Sequence, residues 1–136
     1  MSAWTMLDAS AVLAFLQAEP GHDSVRLALQ NDRCVVTAAN QAEIIAKATD
    51  KGVEPSALRE ILEELAYTVI EVTADDGANA GWMRTNTSSL GLSLGDRICL
   101  ASAQRLKAKV MTADRPWLGL AGGLGLQIHC IRPDAH

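Results

Sequence analysis

Four acidic residues occupy positions in the chain at which their side chains could meet. Asp8 and Asp114 each follow a short apolar segment, and Glu43 and Asp96 lie near the starts of two helical patterns. Carboxylate oxygens are the ligands that hard divalent ions such as Mg²⁺ and Mn²⁺ prefer. Four like charges in one pocket repel each other, which favours the uptake of one or two cations. Such ions can activate water for attack on a phosphodiester.

Four polar residues accompany these acids along the chain. They are Ser10, Asn40, Thr112 and Arg115. Asn40 precedes Glu43 by three positions, so the two side chains share one helix face within the first two turns. In contrast, the acids of the segment 59–64 fit a solvated helix face, and we assign no chemistry to Glu60, Glu63 or Glu64.

Each acid also has a purely structural interpretation. Asp8 is placed to cap the helix that follows it. Ser93 and Asp96 have the spacing of a capping box, in which an acid at the third helical position supports the cap. Asp114 precedes an Arg-Pro pair and could form a turn, and Glu43 could lie on a solvated face. These alternatives remain open at the level of the sequence.

The hydrophobic pattern predicts an α/β framework for these residues. Apolar segments predict strands at 4–7, 34–37, 68–72, 109–113 and 127–131. Helical patterns between them cover 9–17, 22–30, 38–51, 55–67, 74–88 and 94–107, with a turn or short helix at 114–120. This alternation is typical of a mostly parallel sheet covered by helices on both faces. Ligands of such sheets bind at the carboxyl ends of the strands, which is where the acids lie.

Length and composition predict one domain with an aliphatic core. The 136 residues are 49% apolar, yet 4% aromatic, and we assign residues 1–132 to the domain and residues 133–136 to a tail. The net charge of −4 disfavours a module that binds nucleic acid through basic residues alone. Bound divalent ions would reverse the local field, which weakens that objection.

The cysteines and the apolar segments exclude several other classes. Three cysteines without CxxC spacing fit neither a disulfide framework nor a zinc site. No apolar run reaches the roughly 20 residues of a membrane span, and no secretory signal precedes the first strand. We therefore expect a cytoplasmic protein without a membrane partner.

The chain resembles a PIN-domain ribonuclease of the VapC toxin type. The stretches that carry the resemblance are Leu-Asp-Ala-Ser-Ala (7–11) with Glu-Pro-Gly (19–21), Thr-Ala-Ala-Asn-Gln-Ala-Glu-Ile (37–44), Gly-Leu-Ser-Leu-Gly-Asp (91–96) and Thr-Ala-Asp-Arg-Pro-Trp (112–117). Each is weak evidence alone. Together they follow the family's order and span nearly the whole chain.

The resemblance implies a three-layer α/β/α sandwich with a parallel sheet of about five strands. It implies a Mg²⁺- or Mn²⁺-dependent endoribonuclease whose catalytic and metal-binding residues are Asp8, Glu43, Asp96 and Asp114. Supporting hydrogen bonds would come from Ser10, Asn40 and Thr112, and Arg115 would contact substrate phosphate. Homodimerisation and neutralisation by a small antitoxin protein are implied as well, with the exposed parts of helices 38–51 and 55–67 as contact surfaces.

Two other functions remain to be weighed. The same fold could act as an interaction module that uses its acidic site without turnover. A phosphoryl-transfer regulator on a doubly wound sheet is disfavoured, because it would need a lysine where this chain has Thr112-Ala113-Asp114. An acidic ribonuclease would also draw RNA affinity from local cations, among which Arg97 and Arg115 lie next to acids of the predicted site.

Overall fold

The five predicted strands form one parallel sheet. The computed structural model describes residues 4–133. Its strands are β1 (Trp4–Leu7), β2 (Arg33–Thr37), β3 (Tyr67–Ile70), β4 (Lys109–Thr112) and β5 (Ile128–Cys130). The α-helices of this part of the chain are α1 (Ala9–Leu16), α2 (His22–Asn31), α3 (Ala38–Asp50), α4 (Pro55–Glu64), α5 (Ala74–Trp82), α6 (Arg84–Thr87), α7 (Leu94–Leu106) and α8 (Ala121–Leu124).

The strand order is β3-β2-β1-β4-β5, and every neighbouring pair is parallel. The chain therefore begins in the centre of the sheet, builds one side with β2 and β3, and then builds the other side with β4 and β5. The order reverses between β1 and β4, and ligands of doubly wound sheets bind at this point. The predicted fold class is confirmed, and the reversal brings the carboxyl ends of β1 and β4 together.

The core consists of two apolar layers, one on each face of the sheet. Alternate residues of a strand point to opposite faces, so Leu7 joins one layer and Met6 the other. The first layer includes buried residues of α1, α2 and α3, and the second includes Leu100 of α7 and the fully buried Trp117. Helices thus cover both faces, as the predicted three-layer sandwich requires.

The predicted caps set the ends of several helices. The Thr37 hydroxyl accepts the Asn40 backbone N–H at 3.0 Å and begins α3. Pro55 lies in the first turn of α4. Gly52, at φ +87°, follows the end of α3 in the left-handed conformation that glycine favours. These local features were predicted from residue types alone.

The predicted helix 74–88 is divided in the structure. α5 ends at Trp82, α6 covers four residues, and a 3-10 turn (Ser88–Leu90) follows. The Thr87 hydroxyl donates to the Met83 carbonyl oxygen at 2.9 Å, a side-chain bond of the kind that bends helices. The segment after Asp114 is a 3-10 helix (Arg115–Leu120) that leads into α8.

Other predictions concern the chain end, the cysteines and membrane spans. Residues 134–136 of the predicted tail lie outside the described residues. Cys34 and Cys99 are buried and Cys130 is half-buried, all as free thiols. Between residues 4 and 133, no helix combines the length and the apolar character needed to cross a bilayer.

Candidate active site

Asp8 is a buried carboxylate at the end of the central strand. Its side chain is 2% exposed and accepts the Ala11 backbone N–H at 2.8 Å, which caps α1. The Ser10 hydroxyl donates to Asp8 at 2.8 Å, and the Thr112 hydroxyl donates to its Oδ2 at 2.7 Å. The Asp8 carboxylate therefore caps α1 and also accepts hydrogen bonds from Ser10 and Thr112.

Ser10 and Thr112 join the ends of β1 and β4. The Ser10 hydroxyl oxygen accepts the Ala113 N–H at 2.9 Å, and the Thr112 hydroxyl oxygen accepts the Asp114 N–H at 3.0 Å. Each hydroxyl thus donates to the Asp8 carboxylate and accepts from the chain that leaves β4. These bonds fix the orientation of the Asp8 carboxylate.

Asn40 holds Glu43 against the start of α7. Asn40 is completely buried, and its Oδ1 accepts the Thr37 hydroxyl at 2.6 Å. Its Nδ2 donates to Glu43 Oε1 at 2.8 Å and to the Gly95 carbonyl oxygen at 3.2 Å. The buried amide therefore links α3 to α7, and it orients the carboxylate of half-buried Glu43.

Asp96 lies in the first turn of α7, next to the Glu43 carboxylate. Its Oδ2 accepts the Ser93 N–H at 2.9 Å, and the Ser93 hydroxyl accepts the Asp96 N–H at 3.1 Å. The predicted capping box is confirmed. A Cβ atom at Gly95 would lie 2.5 Å from Oε1 and 2.6 Å from Oε2 of Glu43, so the carboxylate approaches the backbone directly beside Asp96.

The charges of Asp8, Glu43 and Asp96 all act on the thiol of Cys99. Cys99 is fully buried, one turn after Asp96. Burial raises the pKa of its thiol well above the usual range, and the negative charges of Asp8, Asp96 and Glu43 raise this pKa further. Three acids from separate segments therefore share one electrostatic environment.

Asp114 and Arg115 are placed differently. Asp114 adjoins Asp8 through Thr112, but its side chain is exposed, and it is absent from the charges that raise the pKa of Asp8 or Cys99. Arg115 is exposed and donates through Nη2 to the Arg132 carbonyl oxygen at 2.7 Å. The fourth acid and the predicted phosphate ligand thus stand at the rim of the site.

The acidic side chains provide the oxygen ligands that a hard divalent cation prefers. Neither Glu43 Oε2 nor Asp96 Oδ1 forms a hydrogen bond within the described chain. Between residues 4 and 133, no three His, Cys, Asp or Glu side chains lie close enough together to hold an ion as they stand.

Burial raises the pKa of Asp8 from its ordinary value of 3.8 to about 6, and the charge of Asp96 adds to the increase. Hydrogen bonds from Thr112, Ala11 and Ser10 oppose it. The folded protein therefore keeps a proton that the unfolded chain releases as the pH rises above about 4. Below about pH 4, protonated Asp8 makes its full contribution to the free energy of unfolding. This contribution is lost as the pH rises through about 6.

We expect the free energy of unfolding to include a decrease of about 3 kcal/mol between about pH 4 and pH 6 that originates from Asp8. Asp8→Asn removes this group, so the pH profile of the variant should be flatter by that amount. Urea denaturation of both proteins across this range, in the presence of a chelator, measures the difference. Parallel profiles would contradict the assignment.

The chain is a doubly wound α/β protein, and its acids lie where the strand order reverses, which is the point at which proteins of this class bind ligands. The chain belongs to the PIN domain family, whose model matches residues 5–121. The predicted membership of the PIN domain family is confirmed by this match, and the predicted fold is confirmed by solved structures that share it. No curated protein sequence matches the chain.

Three solved structures share the fold of this chain. A chain of the toxin–antitoxin complex from Klebsiella pneumoniae has a TM-score of 0.74 at 16% identity, covering 96% of this chain and 99% of that chain. A chain of VapBC-1 from nontypeable Haemophilus influenzae has a TM-score of 0.70 at 21% identity, covering 94% of this chain and 98% of that chain. A chain of VapBC2 from Rickettsia felis, bound to a promoter DNA fragment, has a TM-score of 0.70 at 16% identity, covering 93% of this chain and 98% of that chain. At these identities the likeness establishes the fold.

Sequence reasoning missed two contributors to the site. Thr37 was predicted as a cap, yet its hydroxyl also orients the Asn40 amide. Gly95 was not singled out, although its missing Cβ makes room for the Glu43 carboxylate. Glycine inside a helix costs about 1 kcal/mol relative to alanine. The glycine next to Asp96, in the first turn of α7, was therefore the signal in the sequence that another side chain packs closely against this backbone.

Proposed function

We propose that this protein is a Mg²⁺- or Mn²⁺-dependent endoribonuclease that acts as the toxin of a toxin–antitoxin pair. The observation that best supports the proposal is a set of hydrogen bonds at the point where the strand order reverses: Thr112 fixes the Asp8 carboxylate, and Asn40 links Glu43 to Gly95, the neighbour of Asp96. Membership of the PIN domain family supports nuclease chemistry at that point. We assign the activity to a single domain, residues 1–132, acting on cellular RNA in the cytoplasm.

In the proposed site, the acids bind the metal and the neighbouring polar residues orient their carboxylates. Asp8, Glu43 and Asp96 bind the ion directly, and Asp114 binds it directly or through water. When bound, one or two ions supply an activated water molecule and shield the charge that develops on the leaving oxygen. Ser10 and Thr112 fix the Asp8 carboxylate, and Asn40 fixes that of Glu43. Arg115, at the rim, contacts the substrate phosphate.

An antitoxin and a second copy of the chain are the proposed protein partners. One of the similar structures is a toxin–antitoxin complex from Klebsiella pneumoniae, which supports an antitoxin partner here. Ile61 of α4 is 41% exposed. It borders an apolar hollow between α1, α3 and α4 that is also lined by Leu13, Leu16 and Leu58. An apolar segment of an antitoxin would bury this surface.

Cleavage of total RNA by the antitoxin-free protein tests the proposed activity. We expect cleavage that requires Mg²⁺ or Mn²⁺ and that chelation abolishes. Asp8→Asn should lower the rate more than roughly 100-fold, because even residues that support metal ligands cost about 10–100-fold when removed. Asn can still accept the Ala11 N–H and cap α1, so the variant should stay folded.

Asp75→Asn is the matched control, since Asp75 is an exposed acid in the first turn of α5, outside the site. It should cleave RNA at the wild-type rate. Folded wild-type protein that leaves RNA intact with either metal would refute the nuclease assignment. RNA binding without cleavage would instead support the interaction module of the same fold. Equal activity of Asp8→Asn and wild type would remove Asp8 from the site.

A further inference from the structure

A polar hollow lies between α1 and α3, next to the acidic site. It has a volume of about 330 Å³. Its wall on α1 includes Ser10, its wall on α3 includes Lys47 and Lys51, and Arg132 borders it from the segment after β5. The Ser10 hydroxyl donates to the Asp8 carboxylate at 2.8 Å, so the hollow begins at a residue that orients an acid of the proposed site. We call this cavity the Lys47 hollow.

One face of α3 changes from acidic to basic along the helix. Glu43, Lys47 and Lys51 recur at intervals of four residues, so they lie in one row on the helix surface. Successive members of the row are about 6 Å apart along the axis, because an α-helix rises about 1.5 Å per residue. A polyanion bound at the acidic site through cations would therefore meet Lys47 one helical turn further along.

Arg132 is held beside the site through the backbone around it. The Ile131 N–H donates to the Thr112 carbonyl oxygen at 2.8 Å, and the Arg132 carbonyl oxygen accepts from Arg115 Nη2 at 2.7 Å. Gly21 packs so closely against the Ile131 carbonyl group that a Cβ atom on this glycine would overlap the oxygen. These contacts fix the backbone from which the Arg132 side chain reaches the Lys47 hollow.

The cations of the Lys47 hollow are available to a ligand. Lys47 and Arg132 are exposed, and neither side chain forms a hydrogen bond or an ion pair within residues 4–133. Lys51 donates one hydrogen bond, to a neutral glutamine side chain at 3.0 Å. The lining also contains two acids, Glu19 and Asp50, so positive charge is in excess. An anion that binds to Lys47 and Arg132 displaces no partner in this part of the chain.

The cation next to Asp96 is largely withdrawn from solvent. Arg97 is 7% exposed, and its Nη1 donates to the Ala80 carbonyl oxygen at 2.8 Å. A chain of net charge −4 must nevertheless hold an RNA strand against the repulsion of its own acids. The Lys47 hollow supplies the cations for this beside Ser10.

We propose that the Lys47 hollow binds the RNA phosphate that neighbours the cleaved one, through Lys47 and Arg132. The inference rests on the proposed function, because it takes the acidic site as the place where the RNA is cut. Contacts of lysine and arginine with phosphates supply much of the affinity of proteins for nucleic acids and fix the register of the strand. The hollow would thus position the strand for cleavage without reading its sequence.

The salt dependence of RNA affinity tests the subsite independently of cleavage. The probe is a short labelled single-stranded RNA, followed by fluorescence anisotropy in the presence of a chelator. Lys47→Gln and Arg132→Gln should each reduce the slope of log K against log salt concentration by about 0.7, the value for one phosphate contact to a single strand. Lys47→Arg keeps the charge and should keep the slope. Wild-type slopes in both Gln variants, or a wild-type protein that binds no RNA, would overturn the subsite.

Lys107→Gln is the matched control for net charge. Lys107 is an exposed lysine that precedes the start of β4, so it lies at the edge of the sheet opposite to the acids. The substitution removes the same charge as Lys47→Gln, and it should leave the slope at the wild-type value. A reduction as large as that of Lys47→Gln would show that net charge alone sets the slope, and the subsite would be wrong.

Kinetics of metal-dependent cleavage provide a second measurement. Lys47→Gln and Arg132→Gln should each raise KM roughly fivefold, the effect expected for one exposed ion pair. They should leave kcat unchanged, because a phosphate that is not cut is bound equally in the ground state and the transition state. A fall in kcat with unchanged KM would place these residues in the chemical step and overturn the binding role.

The outcomes distinguish the subsite from the proposed function. RNA cleavage by wild type together with wild-type slopes in the two Gln variants would overturn the subsite and leave the nuclease standing. Reduced slopes without any cleavage would support RNA binding in the Lys47 hollow and refute the nuclease. If the variants instead lose affinity for a labelled polyglutamate peptide while their RNA slopes stay unchanged, the hollow takes an acidic protein segment, and the RNA subsite is wrong.

Discussion

Asp96→Asn is expected to abolish RNA cleavage, with a loss greater than roughly 100-fold, while the protein stays folded. The loss follows because the carboxylate charge beside Glu43 disappears, and an amide oxygen is a weaker ligand for a hard cation. The fold survives because Asn can still accept the Ser93 N–H that Asp96 Oδ2 accepts at 2.9 Å. We expect a stability change below about 1 kcal/mol, since the lost helix-dipole interaction is of that size.

Ser93→Ala is the matched variant that separates capping from metal binding. It removes the hydroxyl that accepts the Asp96 N–H at 3.1 Å and leaves the carboxylate in place. Loss of a cap of this kind costs about 1 kcal/mol, so Ser93→Ala should unfold at lower denaturant concentration. Its cleavage rate at a saturating metal concentration should remain close to that of wild type.

Opposite effects in the two variants would therefore separate the contribution of Asp96 to the reaction from the contribution of the Ser93 cap to stability. Urea titration and metal-dependent cleavage of the same preparations provide the comparison. If Asp96→Asn cleaves RNA normally, Asp96 is a structural capping residue alone. If Ser93→Ala loses activity in proportion to its stability, the acid acts through the helix start and not at the metal.

Gly95→Ala is expected to lower cleavage by about 10–100-fold without a loss of stability. The added methyl group would lie 2.5–2.6 Å from the Glu43 carboxylate, so that side chain must move away from Asn40. Alanine is the better residue inside a helix by about 1 kcal/mol, which offsets the broken hydrogen bond. The metal concentration required for half-maximal cleavage should rise, because a displaced Glu43 binds the ion more weakly.

Gly77→Ala provides the control for helix propensity. Gly77 lies within α5, and a Cβ atom there would meet nothing within 4 Å. This variant should gain up to about 1 kcal/mol of stability and cleave RNA as wild type does. Thermal denaturation and metal titration of both variants test the contrast. Normal activity in Gly95→Ala would show that the position of Glu43 is irrelevant to the reaction.

Local residue patterns were sufficient for the framework and for much of the site. Apolar segments predicted all five strands. The three inner strands are largely buried, and a parallel strand that is buried on both faces needs a continuous apolar run, whereas the edge strands β3 and β5 are only partly buried. Thr37 and Ser93 identified the starts of α3 and α7, since caps depend on residues within three positions. Asp8, Glu43 and Asp96 could be chosen because strand ends and helix starts meet at one sheet edge. The domain bounds and the metal-binding roles of the four acids remain predictions.

Contacts between distant segments were decided by the tertiary structure. Asn40 reaches the Gly95 carbonyl oxygen, and Thr112 reaches Asp8, across separations of 55 and 104 residues. The Lys47 hollow likewise depends on how α1, α3 and the chain after β5 pack together. Local propensity concerns a few neighbouring residues, whereas these contacts depend on which helix faces which strand. The sequence alone determined which residues are available for chemistry, and packing determined how Asp8 and Glu43 are oriented while Asp114 lies at the rim.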